Sequence, residues 1–495
     1  MAAAVVLVPV LVAALLAGGA CSIGRGPEPG SPAAVADSLL RREGPPVGRR
    51  VVERLRYPSL RFDPPSPERL ELSNGVTVFF LRDATLPVID VFMDLRGGYA
   101  HFEREHYGAA AALLPMLRNG GTATLPPDSV DALIDFHALG LSTSSDGGRM
   151  VMGVSALGRQ LDLAVGLWSD LLLRPGFDTA AVERWRLREL EAVRRVDDFP
   201  GSLAVLEFNR LMYRDHPTGW VMTEADLSRE RVAPERLRAL HRRIVCPESA
   251  VIGAAGDVTA SELVSTLERA LTGWRPCGTS LPDPEPPDLR ADPTIYVIPK
   301  QLAQSTIVVG QPGGVVLEES SDYFASRIAN WVIGGSGFTS RLVNRLRTEE
   351  GLAYSAASIW GSARNHERIF GAITHTRSEN TVSAIRAVLQ TLEESLENPP
   401  RRSEIDLARE SIVNGFVFGF NSPSQVVARQ VGFMADGFPD DWLDRYLRGI
   451  RGVDSIAVAR VIRRHVHPDA MTILVVGDTT AFDLGYLGPY RVLER

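Results

Sequence analysis

The sequence predicts an α/β fold made of two related units, each a β-sheet packed with helices, which face each other as a clamshell. The main observation is an internal repeat, because Arg242–Asp257 and Arg463–Asp478 match at Arg, Pro, Gly and Asp with a constant offset of 221 residues. Each copy has the pattern of a helix end, a Pro turn, a buried strand and a Gly-Asp turn. An apolar strand followed by a helix precedes each copy, at residues 150–175 and 368–399. A chain of 495 residues also exceeds what one core usually supports.

The N-terminus carries an apolar run at residues 2–17 that ends in Gly-Gly-Ala-Cys21. A run of this length is typical of an export signal and is short for a membrane span. The ending resembles a bacterial lipoprotein cleavage site, so residues 1–21 are interpreted as a signal peptide, with lipidation at Cys21 in the periplasm or outer membrane. Simple secretion and an uncleaved N-terminal anchor remain open. Residues 22–50, rich in Gly, Pro, Ser and Arg, then form a flexible tether.

The first unit is placed at residues 51–275. Residues 72–99 predict two alternating strands around an Asn-Gly turn, and a loop then leads to a helix that begins near Gly108. Pro115 lacks the backbone N–H that a helix interior needs. This helix is therefore expected to kink or to start late.

Residues 276–293 are predicted to be an interdomain linker, because six Pro and several acidic residues disfavour helix and sheet interior. The second unit follows at residues 294–495. Within it, residues 334–354 read GGSGFTSRLVNRLRTEEGLAY, a glycine-rich turn, a helical run and a glycine helix stop. This pattern places Arg347 near a helix C-terminus and Tyr354 at the start of the next extended segment. A guanidinium and a phenol brought together in this way can both donate to one carbonyl oxygen.

Composition excludes other classes of function. The net charge of −7 gives no basic surface for nucleic acid, and contact with a membrane is expected only through the N-terminal signal or lipid anchor. Beyond Cys21 the chain has only Cys246 and Cys277, so no disulfide framework carries the fold. Whether these two cysteines form one bridge is left open.

The segment at residues 334–354 resembles the C-terminal-half signature of the insulinase or pitrilysin (inverzincin) metallopeptidase family, SRL-x-x-x-LR-x-x-x-GL-x-Y. The resemblance extends over residues 66–480. It implies two homologous insulinase-like domains that form the clamshell. It also implies that Arg347 and Tyr354 face the zinc site of the other half and hold the backbone of a peptide substrate.

The same resemblance implies an H-x-x-E-H motif on a helix of the first half, with two His for zinc and a Glu as base. Here the zinc positions fall on Ala111 and Pro115 and the base falls on Leu114, none of which can bind metal or move a proton. The family's third ligand falls on Glu189, with Glu191 as a competitor. One carboxylate without two imidazoles does not make a zinc site. Glu189 is therefore interpreted as a relic or a surface charge.

No histidine cluster supplies a replacement metal site. His101 and His106 are five residues apart, which on a helix points their side chains in different directions. His465 and His467 are expected to share one face of a strand, but no third ligand lies near them in sequence. All nine histidines are interpreted as structural or surface residues.

Some members of the resembling family divide the zinc helix and the Arg/Tyr pair between two chains. This chain resembles the non-metal subunit of such bacterial heterodimers, so we expect it to bind no zinc, to be inactive alone and to act on peptides only with an H-x-x-E-H partner that holds the zinc. The alternative is a structural or peptide-binding pseudo-peptidase with no role in proteolysis. A peptidase with an unrecognised site is disfavoured, because no G-x-S-x-G motif is present. Whether the partner is another protein or a second copy of this chain is left open.

Overall fold

The computed structural model describes residues 65–278 and 281–494. The predicted signal peptide at 1–21, the lipidation site Cys21, the tether at 22–50 and the first residues of the first unit lie outside the described residues. Within the described part, no helix combines the length and the apolar character needed to cross a membrane.

The first half contains a six-stranded sheet with the order β1-β2-β6-β3-β5-β4. The Asn-Gly turn joins β1 and β2 as an antiparallel hairpin, β2 and β6 are parallel, and the remaining neighbours are antiparallel. The strands are β1 (Glu68–Glu71), β2 (Thr77–Arg82), β3 (Val88–Arg96), β4 (Gly140–Ser145), β5 (Arg149–Leu157) and β6 (Ala250–Gly256).

Seven α-helices accompany this sheet in the described part of the first half, and most bury an apolar stripe against one core. They are α1 (Tyr107–Asn119), α2 (Pro127–His137), α3 (Leu161–Leu173), α4 (Thr179–Arg194), α5 (Pro200–Tyr213), α6 (Pro234–Ile244) and α7 (Ala260–Ala270). The expectation that Pro115 delays α1 is wrong, because α1 starts at Tyr107 and continues through Pro115.

The second half contains another six-stranded sheet, with the order β12-β7-β11-β8-β10-β9. Here β7 and β11 are parallel, as β2 and β6 are in the first sheet, and β8, β9 and β10 run antiparallel to their neighbours. The strands are β7 (Ile295–Pro299), β8 (Gln304–Pro312), β9 (Ala353–Ser362), β10 (Glu367–Arg377), β11 (Thr472–Gly477) and β12 (Tyr490–Val492).

The helices of the second half differ from those of the first mainly around the glycine-rich segment, where two π-helical turns occur. The helices are α8 (Ser321–Asn330), the π-turn Trp331–Gly335, α9 (Arg341–Val343), the π-turn Asn344–Glu349, α10 (Thr381–Glu397), α11 (Arg402–Phe416), α12 (Pro423–Ala435), α13 (Trp442–Gly452) and α14 (Ser455–His465).

Five of the six strands have the same arrangement in the two halves, with β6 and β11 at equivalent positions beside a parallel neighbour. The first edge strand differs, because β1 is antiparallel to β2 and β12 is parallel to β7. The predicted fold class, mixed α/β with two related units, is confirmed. The described residues of the linker contain no helix or strand. The unit boundaries at 51–275, 276–293 and 294–495 stay a prediction, and Pro64–Arg495 form one compact unit.

One helix from each half packs on the sheet of the other. Helix α5 of the first half places Leu203 and Phe208 against Val308 and Leu474 of the second sheet. Helix α12 of the second half places Val427 against strands β2 and β6 of the first sheet. This exchange explains why the two sheets belong to one compact unit.

Polar contacts reinforce the exchange between the halves. Arg149 of β5 makes a two-oxygen ion pair with buried Asp94 and also contacts Asp436, just beyond the end of α12, at 2.9 Å. Burial raises the pKa of the Asp94 carboxyl, while the positive charge of Arg149 opposes that shift. Ser424 at the start of α12 also donates to Asp90 of β3.

Candidate functional site

The site residues of the second half lie on a helix and the strand that follows it. Arg347 is in the last helical turn and Tyr354 is the second residue of β9. Gly351 between them has a φ of 63°, a left-handed conformation that glycine adopts without strain. This local arrangement agrees with the sequence pattern of a helix stop followed by an extended segment.

The arginines of this helical segment differ in their partners. Arg341 forms two hydrogen bonds of 2.9 Å to Glu404, and Arg345 pairs with Glu394 and two nearby glutamates. Arg347 has no carboxylate and no hydrogen-bond acceptor among the described residues, and its buried Nη1 atom has no partner. Its charge is therefore available to an acceptor from outside the chain.

Two aromatic rings contact the Arg347 guanidinium. Its central carbon lies 4.4 Å from the ring centroid of Phe338 and 4.7 Å from that of Tyr354. Both rings are largely exposed, at 68% for Phe338 and 77% for Tyr354. The structure thus places the two predicted residues in contact, with the Arg347 guanidinium against the ring face of Tyr354. Phe338 was not predicted as a site residue, and no local sequence rule pairs it with an arginine nine positions later.

The positions that the family resemblance implies for the zinc ligands and the base lie together on α1, where residues four apart share a helix face. Ala111 and Pro115 are half-buried and Leu114 is buried. Their side chains offer hydrocarbon only, so this face of α1 cannot supply a metal ligand.

Glu189 lies on α4 and is half-buried. Burial raises the pKa of its carboxyl, and the nearby charge of Arg188 opposes that shift. Glu189 is close enough to Tyr107, at the start of α1, to contribute to the raised pKa of that phenol, whose main cause is burial. The competitor Glu191 is paired with Arg195 along the same helix at 4.0 Å. Of the two glutamates, Glu189 is the one that interacts electrostatically with a residue of α1, Tyr107.

A cation enclosed by aromatic rings lies beside the start of α1 and was also not predicted. The Arg104 guanidinium is 4.6 Å from the ring centroid of Tyr107 and 5.3 Å from that of Trp220. It also donates to buried Asp226 at 2.6 Å. These contacts connect the turn before α1 with Trp220 and Asp226.

The structure corrects one histidine prediction. His465 is the last residue of α14 and His467 follows in a turn, so the two do not share a strand face. Both ring nitrogens of buried His101 lie within 2.9 Å of backbone carbonyl oxygens, whereas His106 faces Glu105. These contacts are structural.

Among the described residues, a single group of three potential metal ligands lies close together: Cys246, Glu248 and Cys277. The two cysteines form a disulfide, which answers the question left open by the sequence. Glu248 accepts hydrogen bonds from the backbone N–H groups of Cys277 and Gly278. In the oxidised chain this group therefore ties the linker to the first half and has no thiolate for a metal.

Comparison with known proteins identifies proteins of similar sequence and fold. Residues 231–412 match the family model described as the Peptidase M16 inactive domain. The non-peptidase homolog YmxG of Helicobacter pylori is 21% identical over 405 residues, which cover 81% of this chain and 92% of that protein.

Two solved structures share the fold. The peptidase M16 inactive domain from Pseudomonas fluorescens superposes with a TM-score of 0.73 and 22% identity, covering 83% of this chain and 98% of that one. The periplasmic protease PqqL from Escherichia coli gives a TM-score of 0.69 and 14% identity, covering 91% of this chain and 51% of that one. This chain is therefore similar to insulinase-type (M16) peptidases, in sequence over residues 231–412 and in fold over most of its length.

Proposed function

We propose that this chain is the non-catalytic subunit of a heterodimeric insulinase-type zinc peptidase. In this proposal an H-x-x-E-H partner holds the zinc and the catalytic glutamate. Arg347 and Tyr354 of this chain donate hydrogen bonds to the carbonyl of the peptide and to the oxyanion that develops when zinc-bound water attacks it. The match to an inactive M16 domain and the likeness to a non-peptidase homolog support a non-catalytic role.

The unpaired charge of Arg347 is the observation that carries the proposal. Arg341 and Arg345, on the same helical segment, are both neutralised by glutamates. Among the described residues Arg347 has two exposed rings and no carboxylate beside its guanidinium, and its buried Nη1 atom has no hydrogen-bond partner. Arg347 is half-buried as a whole and no acid neutralises it, so a substrate oxygen that reaches its guanidinium is bound favourably.

The test is reconstitution with a family member from the same organism that carries an H-x-x-E-H motif. We expect peptide cleavage by the mixture and none by this chain alone. Arg347→Ala and Tyr354→Phe should each lower kcat/KM of the complex by on the order of 100-fold, because each removes a donor to the developing oxyanion. Co-purification of the variants with the partner should be unchanged.

Two exposed residues provide matched controls. Arg402→Ala removes a guanidinium that is 93% exposed, and Tyr486→Phe removes the hydroxyl of a tyrosine that is 73% exposed. Both controls should retain full activity. If Arg347→Ala and Tyr354→Phe are as active as the controls, the chain is instead a structural or peptide-binding pseudo-peptidase.

Zinc content separates this proposal from a self-sufficient peptidase. The purified chain should hold less than one zinc per molecule, measured without reductant, because reduction would release two thiols beside Glu248. One tightly held zinc per oxidised chain would contradict the proposal that the partner subunit holds the zinc.

We further propose that the chain is exported and anchored by a lipid at Cys21 in the periplasm or outer membrane. The apolar run followed by Gly-Gly-Ala-Cys supports this location. Expression in a bacterial host fed a labelled fatty acid should label the wild-type chain, and Cys21→Ser should abolish the label. A labelled Cys21→Ser band would refute the lipid anchor, and an unlabelled wild-type chain in the periplasm would indicate simple secretion.

A further inference from the structure

We infer that Phe338 is a positioning residue for Arg347: its ring holds the guanidinium against Tyr354, in the orientation needed to meet the peptide oxygen. This inference rests on the proposed function. It concerns a residue that touches neither zinc nor the reacting carbonyl and acts through the arginine beside it.

The turn that carries Phe338 is fastened to the helix that carries Arg347. Gly337 has a φ of 62°, which allows the tight turn of residues 337–339. Buried Ser340 donates its hydroxyl to the carbonyl of Gly337 at 2.7 Å and accepts from the N–H of Val343 at 3.3 Å. Because one side chain bonds to both the turn and the first helical residues, Phe338 has a fixed place relative to the helix.

The ring of Phe338 contributes to no buried core. It is 68% exposed and is absent from the hydrophobic clusters of the described residues, yet its centroid is 4.4 Å from the Arg347 guanidinium carbon. An aromatic face at this distance attracts a guanidinium through its quadrupole. Arg341 and Arg345 are held by carboxylates, whereas Arg347 is held by a ring. A carboxylate accepts hydrogen bonds from the N–H groups of an arginine, but a ring face leaves those N–H groups free to bind another acceptor.

The arrangement explains how a flexible side chain can serve as an oriented donor without an acidic partner. A carboxylate would hold the arginine but would compete with the substrate for its N–H groups. Two rings restrict the guanidinium and leave its donors for the peptide. Loss of the Phe338 ring should therefore weaken transition-state binding more than substrate binding.

The experiment compares Phe338→Leu, which keeps apolar bulk but removes the aromatic face, with Phe338→Tyr, which keeps the ring. In the reconstituted heterodimer we expect Phe338→Leu to lower kcat about five-fold with KM little changed, and Phe338→Tyr to retain wild-type kcat. A merely structural role would lower the folding stability of Phe338→Leu and would not lower kcat while KM stays unchanged. The positioning role is overturned if Phe338→Leu has wild-type kcat, or if Phe338→Tyr is as impaired as Phe338→Leu.

A second measurement needs no catalysis. Phenylglyoxal modifies accessible guanidinium groups, and peptide mapping gives the rate at Arg347 relative to exposed Arg402 in the same chain. This ratio should be low in the wild type, unchanged in Phe338→Tyr and at least two-fold higher in Phe338→Leu. If the wild-type heterodimer cleaves no peptide, the proposed function fails, while an unchanged ratio in Phe338→Leu would separately overturn the contact between Phe338 and Arg347.

Discussion

Arg347 is held in place by aromatic contacts, whereas neighbouring arginines are held by acids. That difference gives the site a positive charge with a defined position and no internal acceptor. The placement of Arg347 at a helix end and of Tyr354 at the start of a strand was predictable from the local glycine helix stop, whereas their role as a site is implied by the family resemblance and stays a prediction. Phe338 was not predictable, because its contact depends on a positive φ at Gly337 and on the hydrogen bonds of Ser340.

A second feature at the scale of residues is the lowered pKa of His366, which makes the folding stability depend on pH. His366 lies in the turn between β9 and β10, with its ring centroid 6.2 Å from that of His216 in the first half. Burial, together with the charges of Arg368 and His216, lowers the pKa of His366 from 6.5 to about 4. Between about pH 4 and 6.5, His366 is therefore protonated in the unfolded chain and neutral in the folded chain.

Stability should therefore fall as the pH is lowered from about 6.5 to 4, in part through His366. Chemical denaturation at several pH values should show a smaller loss for His366→Gln than for the wild type. His467→Gln changes an exposed histidine and should follow the wild-type curve. Identical pH dependence of all three proteins would show that His366 is not responsible.

At the scale of elements, α5 and α12 determine how the halves are joined. Leu203 on α5 is fully buried among residues of the second sheet, although the helix belongs to the first half of the sequence. Strand β8 has Gly310 at the place where the Phe208 ring approaches, and a β-carbon there would lie 2.9 Å from the ring. Which sheet α5 covers depends on long-range packing that the periodicity of the sequence does not encode.

Leu203→Ala should destabilise the whole unit by about 2–5 kcal/mol, because it opens a cavity between α5 and the second sheet. Val205 on the same helix is 42% exposed, and Val205→Ala should change stability by about 0.5 kcal/mol or less. Denaturant unfolding followed by circular dichroism and by tryptophan fluorescence measures both. The two signals should change together in each variant, and a separate first transition in Leu203→Ala would indicate that the halves unfold independently.

At the scale of the whole molecule, the duplicated architecture was predictable because the repeat preserves a turn and a buried strand at a constant offset. Both copies occupy equivalent places beside a parallel neighbour in their sheets. The loss of the zinc motif was equally visible, since Ala111, Leu114 and Pro115 offer no ligand atoms whatever the fold. The contacts between the halves, such as that of Arg149 with Asp436, join residues far apart in sequence and required the structure.

The exchanged helices have a consequence for any attempt to dissect this protein. A fragment that ends at the linker would keep α5 without the second sheet it covers, and its own sheet would lose α12 and expose Phe79 and Val251 to water. The complementary fragment would keep α12 without the first sheet, and its own sheet would lose α5. Neither piece is a natural module for expression, so the smallest stable unit for biochemical work spans both halves, and the two severed pieces would serve better as a complementation pair than as separate domains.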